Sequence, residues 1–368
     1  MRYLIVLLIL SFNLSSCNST PKKSNSTVKE SDASTSTTEV DYIRSIKIVS
    51  PKKHDTVKMN NKVSLDFSIK RKYKTDSVQV YIDGILTKTL LNAPFKCEYT
   101  FTSGKVGNRQ IKAIAYHKKN KRGLAVTSIT LIPDKAPVHK KYKVVKTYKH
   151  DTRDYTQGLV FHDGFLYEGT GQKGKSHIKK IDLKKNEVIS VLSIDKNLFG
   201  EGITIYNDKI IQLTWTSYRG FVYDINSFSL ESEFTYSTQG WGITTMGDEL
   251  VMSDGTNKLY IIDPNSFSVK SELEVYDNNG PVDQLNELEY INGLIYANVW
   301  MTNRIVIIDP ATGIIKSDVD MTGLLTKREL KQLDDDDDVL NGIAFDKTSN
   351  KLYVTGKNWP KLFQIELR

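Results

Sequence analysis

The strongest constraint on this chain is a pattern that occurs five times between about Tyr155 and the C-terminus. Its units open at Gln157-Gly158-Leu159, Glu201-Gly202-Ile203, Trp241-Gly242-Ile243, Asn286-Glu287-Leu288 and Asn341-Gly342-Ile343. Each opening leads into an apolar strand, a turn rich in Asp, Asn or Gly, and a second strand. A third strand follows, as in Leu259-Tyr260-Ile261-Ile262-Asp263. The openings at Gly158, Gly202, Gly242, Glu287 and Gly342 are 44, 40, 45 and 55 residues apart. Units of roughly 40–50 residues with several short strands each specify a β-propeller. The expected fold is all-β, with a five-bladed β-propeller over residues 142–368. The first four units each carry a fourth, outer strand; the fifth ends at Leu362 to Leu367 without one. The alternating segment 142–148 can supply it, which closes the ring and removes its open edges.

The front of the chain reads differently. Met1-Arg2 and the apolar run Tyr3 to Leu10 form a charged start and a core too short to span a membrane as an ordinary helix, the pattern of a secretory signal. It ends in Leu14-Ser15-Ser16-Cys17, which resembles the lipobox of bacterial lipoproteins and makes Cys17 the expected lipidation site after removal of 1–17. Acyl chains there would anchor the protein to a membrane of the bacterial cell envelope, facing the periplasm or the exterior. Residues 18–41 are almost devoid of apolar side chains and read as a disordered tether. Short alternating strands return over 42–134, among them Val63 to Ile69, Val78 to Ile82 and Gln110 to Tyr116, and predict a small Ig-like β-sandwich. Asp134 to Lys141 reads as a linker. Residues 1–140 carry 25 Lys+Arg against 10 Asp+Glu, whereas 141–368 carry 26 against 33, so the basic half is the front one. A solvated lysine-rich surface accounts for this, and no nucleic-acid motif accompanies it. With Cys17 lipidated, Cys97 has no disulfide partner.

In a propeller blade the innermost strand lines the central channel and pairs antiparallel with the second. The start of one and the end of the other therefore share a face. This brings Gln157, Glu201, Trp241, Asn286 and Asn341 to one channel mouth, together with Trp215, Trp300 and Lys357 from the second-strand ends. Three indoles around a few convergent polar groups form a ligand pocket more readily than a structural plug. No Ser-His-Asp arrangement occurs at repeat positions, and no His or Cys cluster has metal-ligand spacing. A lone carboxylate walled by Trp has a raised pKa suited to proton transfer, so Glu201 is the candidate acid/base of a reaction without a catalytic metal. The acidic run Asp334 to Asp338 reads as a solvated loop, with a structural divalent cation as its weaker alternative.

The residues at these openings also carry a resemblance. Tyr155-Thr156-Gln157-Gly158-Leu159, Phe199-Gly200-Glu201-Gly202-Ile203-Thr204, Leu213-Thr214-Trp215 and Gly240-Trp241-Gly242-Ile243-Thr244 are followed in order by Leu285-Asn286-Glu287-Leu288-Glu289, Asn298-Val299-Trp300, Leu340-Asn341-Gly342-Ile343-Ala344 and Thr355-Gly356-Lys357-Asn358-Trp359-Pro360. Together they resemble the plant- and bacterial-type glutaminyl cyclases, over about 142–368 and not over the front. The resemblance implies a five-bladed propeller that converts the N-terminal glutamine of peptides and proteins to pyroglutamate with release of ammonia, with no cofactor and no catalytic zinc. It implies Glu201 as the acid/base and Gln157, Trp215, Trp241, Asn286, Trp300 and Lys357 as substrate-binding residues. Lys357 could serve the oxyanion or hold the substrate amine neutral, and the sequence leaves both open. Two competing readings are a non-catalytic envelope lipoprotein whose propeller binds a peptide or glycan, and a calcium-dependent lactonase-like propeller. The latter would need several ring carboxylates at the channel.

Overall fold

The computed structural model describes residues 41–333 and 336–368. Cys17, its lipobox and the tether up to residue 40 lie outside the described residues, as do Asp334 and Asp335. The front domain packs two sheets face to face. One holds Ile46–Ser50, Lys62–Ile69 and Lys96–Thr100; the other runs Asp41–Ile43, Lys121–Ile132, Gly107–His117, Thr75–Ile82, Ile85–Leu90, with Thr56–Lys58 also paired to Lys121–Ile132. Strand alternation explains the core. In Lys62–Ile69, Val63, Leu65 and Phe67 point inward while Ser64 and Ser68 face solvent. Cys97 is half-buried in Lys96–Thr100.

The sandwich core does not end with its own residues. Tyr276 and Ile314, from the repeat region, pack into it. Val106 N donates to Thr312 O at 2.9 Å, and Asn108 N donates to Glu274 Oε2 at 3.1 Å. Asp41–Arg368 accordingly form one compact unit.

The five repeats fold into five sheets, each built on four antiparallel strands. Their innermost strands are Thr156–His162, Gly200–Tyr206, Ile243–Met246, Leu285–Ile291 and Leu340–Asp346. In the second sheet the innermost strand is buried up to Tyr206, whereas the outermost, Leu230–Thr235, is almost wholly exposed. The fifth sheet takes its outer strand from Tyr142–Lys149, which pairs antiparallel with Lys361–Leu367. The result is a closed, β-propeller-like ring. The reading of 134–141 as a plain linker is corrected here. Val138–Lys140 adds a fifth strand to the fourth sheet, parallel to Ile315–Asp320, because that sheet's outer edge is otherwise open and His139 Nδ1 meets Asp318 Oδ1 at 2.6 Å. The one α-helix among the described residues, Lys327–Leu330, starts with a capping box between Thr326 and Glu329. Among the described residues no helix is long and apolar enough to cross a membrane.

Four of the five repeat openings have a common geometry. Pairing of the first two strands shifts register between Thr156 and Gly158, Gly200 and Ile203, Leu285 and Leu288, and Leu340 and Ile343. Such β-bulges re-aim side chains, and these turn the opening residues toward the channel mouth. The glycines serve close approach. A Cβ on Gly158 would lie 2.3 Å from Ile203 N, and one on Gly242 would lie 2.1 Å from Asn286 O. The fourth repeat has Glu287 in that place. Its carboxylate reaches the first and fifth sheets, accepting from Leu159 N at 3.1 Å and Ile343 N at 2.8 Å. Two residues on, Glu289 accepts from Phe345 N at 3.0 Å and from Thr244 Oγ1 at 3.3 Å. The channel is thereby stitched across by two glutamates below its mouth.

Candidate active site

At the mouth lies a cavity of about 250 Å³. It is lined by Gln157, Glu201 and Asn286 from three openings, by Trp215, Trp241, Trp300 and Lys357, and by Tyr155, Phe199 and Asp337. Seven of the eight residues brought to the mouth from the sequence thus line one space. Asn341 does not line it. It lies behind Gln157, where its Nδ2 donates to Thr156 O at 2.9 Å and to Gln157 Oε1 at 3.1 Å. Because a backbone carbonyl can only accept, this arrangement fixes which end of the Gln157 amide faces Asn341 and leaves Gln157 Nε2 as a donor for the cavity.

The indole walls are pinned by their N–H groups. Trp215 and Trp241 both donate to Gln239 Oε1, at 2.7 and 3.0 Å. Trp300 donates to Asp337 Oδ1 at 2.8 Å and meets Trp241 edge-on, with ring centroids 5.4 Å apart. Trp215 is 40% exposed and forms the rim.

Glu201 is buried, and among the described residues no hydrogen bond reaches its carboxylate. Burial pushes its pKa well above the usual carboxylate range; the Lys357 ammonium pulls it back down, and Asp337 pushes it further up. A neutral carboxyl or a strongly basic carboxylate in an apolar box is suited to moving protons. Asn286 Oδ1 is also buried without a partner, so it offers an acceptor to an N–H group in the cavity. Lys357 is buried under the Tyr155 ring, 4.6 Å from its centroid, and donates to the Tyr155 hydroxyl at 3.2 Å. Burial lowers its pKa, while Asp337 and then Glu201 oppose that shift.

Three residues of this site escape a reading by repeat position. Tyr155 precedes an opening by two and Phe199 by two, and both are aromatic neighbours of pocket residues, which is the signal that could have found them. Asp337 corrects the reading of the acidic run as a solvated loop. Asp337 binds Trp300 and Tyr155, and Asp338 is buried, accepting from Asn358 Nδ2 at 2.7 Å while its backbone carbonyl accepts from Trp359 Nε1 at 2.9 Å.

A second polar cluster lies between the first and fifth sheets. His150, Asp154 and Glu168 bring ligand-type atoms within 4.8 Å of one another, although sequence spacing gives no metal-ligand pattern. These groups are already engaged with each other and with neighbours. His150 Nδ1 meets Trp359 O at 2.6 Å, its Nε2 meets Glu168 Oε1 at 2.9 Å, and Lys179 Nζ donates to Asp154 Oδ1 at 2.6 Å. Burial lowers the His150 pKa, but Glu168, the Trp359 carbonyl and Asp154 together outweigh this and raise it to about 9. The cluster is thus a set of buried ion pairs at the ring closure.

Comparison with known proteins agrees with this geometry. Residues 114–367 match the family model described as glutamine cyclotransferase, and residues 45–113 match that of a bacterial Ig domain. The glutaminyl-peptide cyclotransferase of Arabidopsis thaliana is 40% identical over 228 residues, which are 61% of this chain and 71% of the relative. The crystal structure of Myxococcus xanthus glutaminyl cyclase superposes with a TM-score of 0.59 at 34% identity, covering 63% of this chain and 98% of that one. The chain belongs to the glutamine cyclotransferase family, carried behind an Ig-like front domain.

Proposed function

We propose that this chain cyclises the N-terminal glutamine of peptides and proteins to pyroglutamate, and that Glu201 is the acid/base of the reaction. The observation that carries this is a buried glutamate without hydrogen-bond donors, facing an indole-walled cavity of about 250 Å³. In the reaction the substrate α-amine attacks the δ-carbon of its own side-chain carboxamide. A new N–C bond forms, Glu201 takes the proton that the amine sheds, and the carboxamide oxygen becomes an oxyanion. The intermediate collapses as the C–N bond to the former amide nitrogen breaks, and Glu201 returns the proton to the departing ammonia. The attack is already intramolecular, so the protein's contribution is to hold the near-attack conformer and to move the proton.

The roles of the other groups follow from what each can donate or accept. Gln157 Nε2 and the Lys357 ammonium are donors for the oxyanion. Asn286 Oδ1 is the acceptor for an N–H of the substrate. Trp215, Trp241 and Trp300 pack the glutamine stem and exclude water. No step requires a metal or cofactor. The five sheets are read as the blades of a five-bladed propeller, four of whose openings deliver Gln157, Glu201, Trp241 and Asn286 to the mouth. The lipobox at Cys17 supports a lipid-anchored protein of the bacterial cell envelope, with peptides and proteins bearing N-terminal glutamine as its partners. Incubating the purified protein with a Gln-initiated dipeptide and measuring ammonia tests the activity. Ammonia release that persists in a chelator supports the reading, and its loss there would point to a metal-dependent reaction. Labelled fatty acid incorporated by the native chain but not by Cys17→Ala tests the anchor.

A further inference from the structure

The mechanism above leaves the Asp337 carboxylate and the Tyr155 hydroxyl of the cavity unused. Asp337 belongs to a loop whose neighbours on both sides are acidic, yet its two carboxylate oxygens are committed to different partners. Oδ1 accepts from Trp300 Nε1 at 2.8 Å and lies 3.7 Å from Lys357 Nζ; Oδ2 accepts from the Tyr155 hydroxyl. Tyr155 in turn accepts from Lys357 Nζ at 3.2 Å. The loop is itself held down, since Lys357 N donates to Val339 O at 2.9 Å and Asp338 is tied to Asn358 and Trp359. We propose that Asp337 is a positioning residue for cyclisation, its carboxylate locking the Trp300 indole, the Tyr155 hydroxyl and the Lys357 ammonium into one assembly at the cavity mouth.

Two physical consequences follow. The first is orientation. With one ammonium hydrogen given to Tyr155 and the cation flanked by the Tyr155 and Trp300 rings, at 4.6 and 5.6 Å from their centroids, the remaining N–H groups of Lys357 have few directions left except into the cavity. The second is charge. A buried lysine with no carboxylate beside it tends to lose its proton. Among the described residues, Asp337, Glu201 and Asp338 act on Lys357 by charge, and Lys357 and Asp337 act on Glu201; Tyr236 also feels the Glu201 charge. The negative charge of Asp337 favours the protonated form of both Lys357 and Glu201. A base needs Glu201 ionised, which sets the acid limb of the rate profile. An oxyanion donor needs Lys357 charged, which sets the alkaline limb. Asp337 therefore moves both limbs to higher pH, toward the range where the substrate's α-amine, with a pKa of about 7.7–8.0, becomes nucleophilic.

The inference rests on the cyclotransferase reading, and its test separates the two. In the full chain, Asp337→Asn keeps the shape and removes the charge. The expected result is a kcat at pH 8 lowered at least about tenfold, with KM changed less, and both limbs of the pH–kcat profile moved down by about one unit. The exposed neighbour variant Asp336→Asn keeps the wild-type profile, and Asp337→Glu restores the limbs at reduced kcat. A uniform loss of kcat with the limbs in place would overturn the proposal, because a merely structural carboxylate predicts that outcome. A second measurement does not depend on turnover. The pH dependence of Lys357 acetylation by acetic anhydride, read by mass spectrometry, gives the titration midpoint of that amine directly. The midpoint is expected to fall by about one unit in Asp337→Asn, and an unchanged midpoint would sink the proposal whatever the fate of the catalytic reading.

Discussion

Glu201 and Glu287 stand one repeat-position apart in register and are both almost fully buried, at 4% and 1% exposure, yet the protein treats them in opposite ways. Glu287 has a backbone N–H on each carboxylate oxygen, from Leu159 and Ile343. Glu201 has none, and its nearest compensation is the Lys357 charge. For both, burial pushes the pKa well up; Glu289 adds to this at Glu287, and the two N–H groups oppose it. The difference teaches what separates a reactive carboxylate from a structural one inside a ring of strands. Donors that are part of the scaffold consume the lone pairs that chemistry would need. Glu168 shows a third solution, in which a histidine cation faces the buried carboxylate.

The contrast can be broken experimentally. The largest effect is expected at Glu201. Glu201→Gln keeps the fold and lowers kcat for a Gln-initiated dipeptide by at least about a hundredfold, measured as ammonia release; an unchanged rate would remove Glu201 from the mechanism. Next comes the Glu168–His150 pair. The folded-state pKa of His150 is raised to about 9 from 6.5, so its stabilisation is full below pH 6.5 and is lost as pH rises through about 9. Urea unfolding at pH 6.5 and 9.5 should differ by a few kcal/mol in the native chain, and much less in Glu168→Gln. Glu287→Gln sharpens the comparison from the other side. One amide N–H now faces a backbone N–H, so the fold loses about 1–3 kcal/mol while kcat stays within about tenfold at temperatures where the variant is folded. A kcat loss as deep as that of Glu201→Gln would show that the division between the two glutamates is false. The smallest effect belongs to Glu272, whose pair with Lys258 at 2.7 Å is open to solvent; Glu272→Gln should change the unfolding free energy by less than about 1 kcal/mol.

What could be read from the sequence follows the same division. The repeat openings are local signals, because a residue next to a glycine or at a strand end keeps its place in every unit. That made the ring of sheets and the cavity position of Glu201, Trp241 and Asn286 legible. Residues whose surroundings come from distant chain were not. Asp337 reads as one acid among five, and only the fold of its loop against Trp300 and Tyr155, the latter 182 residues earlier, makes it part of a site. His150 and Trp359 meet across 209 positions, and Val138–Lys140 finds its partner strand only after Ile315–Asp320 has formed. Local pattern carries no information about such closures.

The pairing of Tyr142–Lys149 with Lys361–Leu367 has a consequence for how the molecule comes into being. The strand that seals the ring leaves the ribosome more than two hundred residues before its partner, so that edge waits unpaired in the meantime. The last seven residues of strand therefore act as a clasp. A chain cut short by that one segment would hold every residue that lines the cavity and still present two open sheet edges, with Tyr142–Lys149 free to seek a strand on another copy.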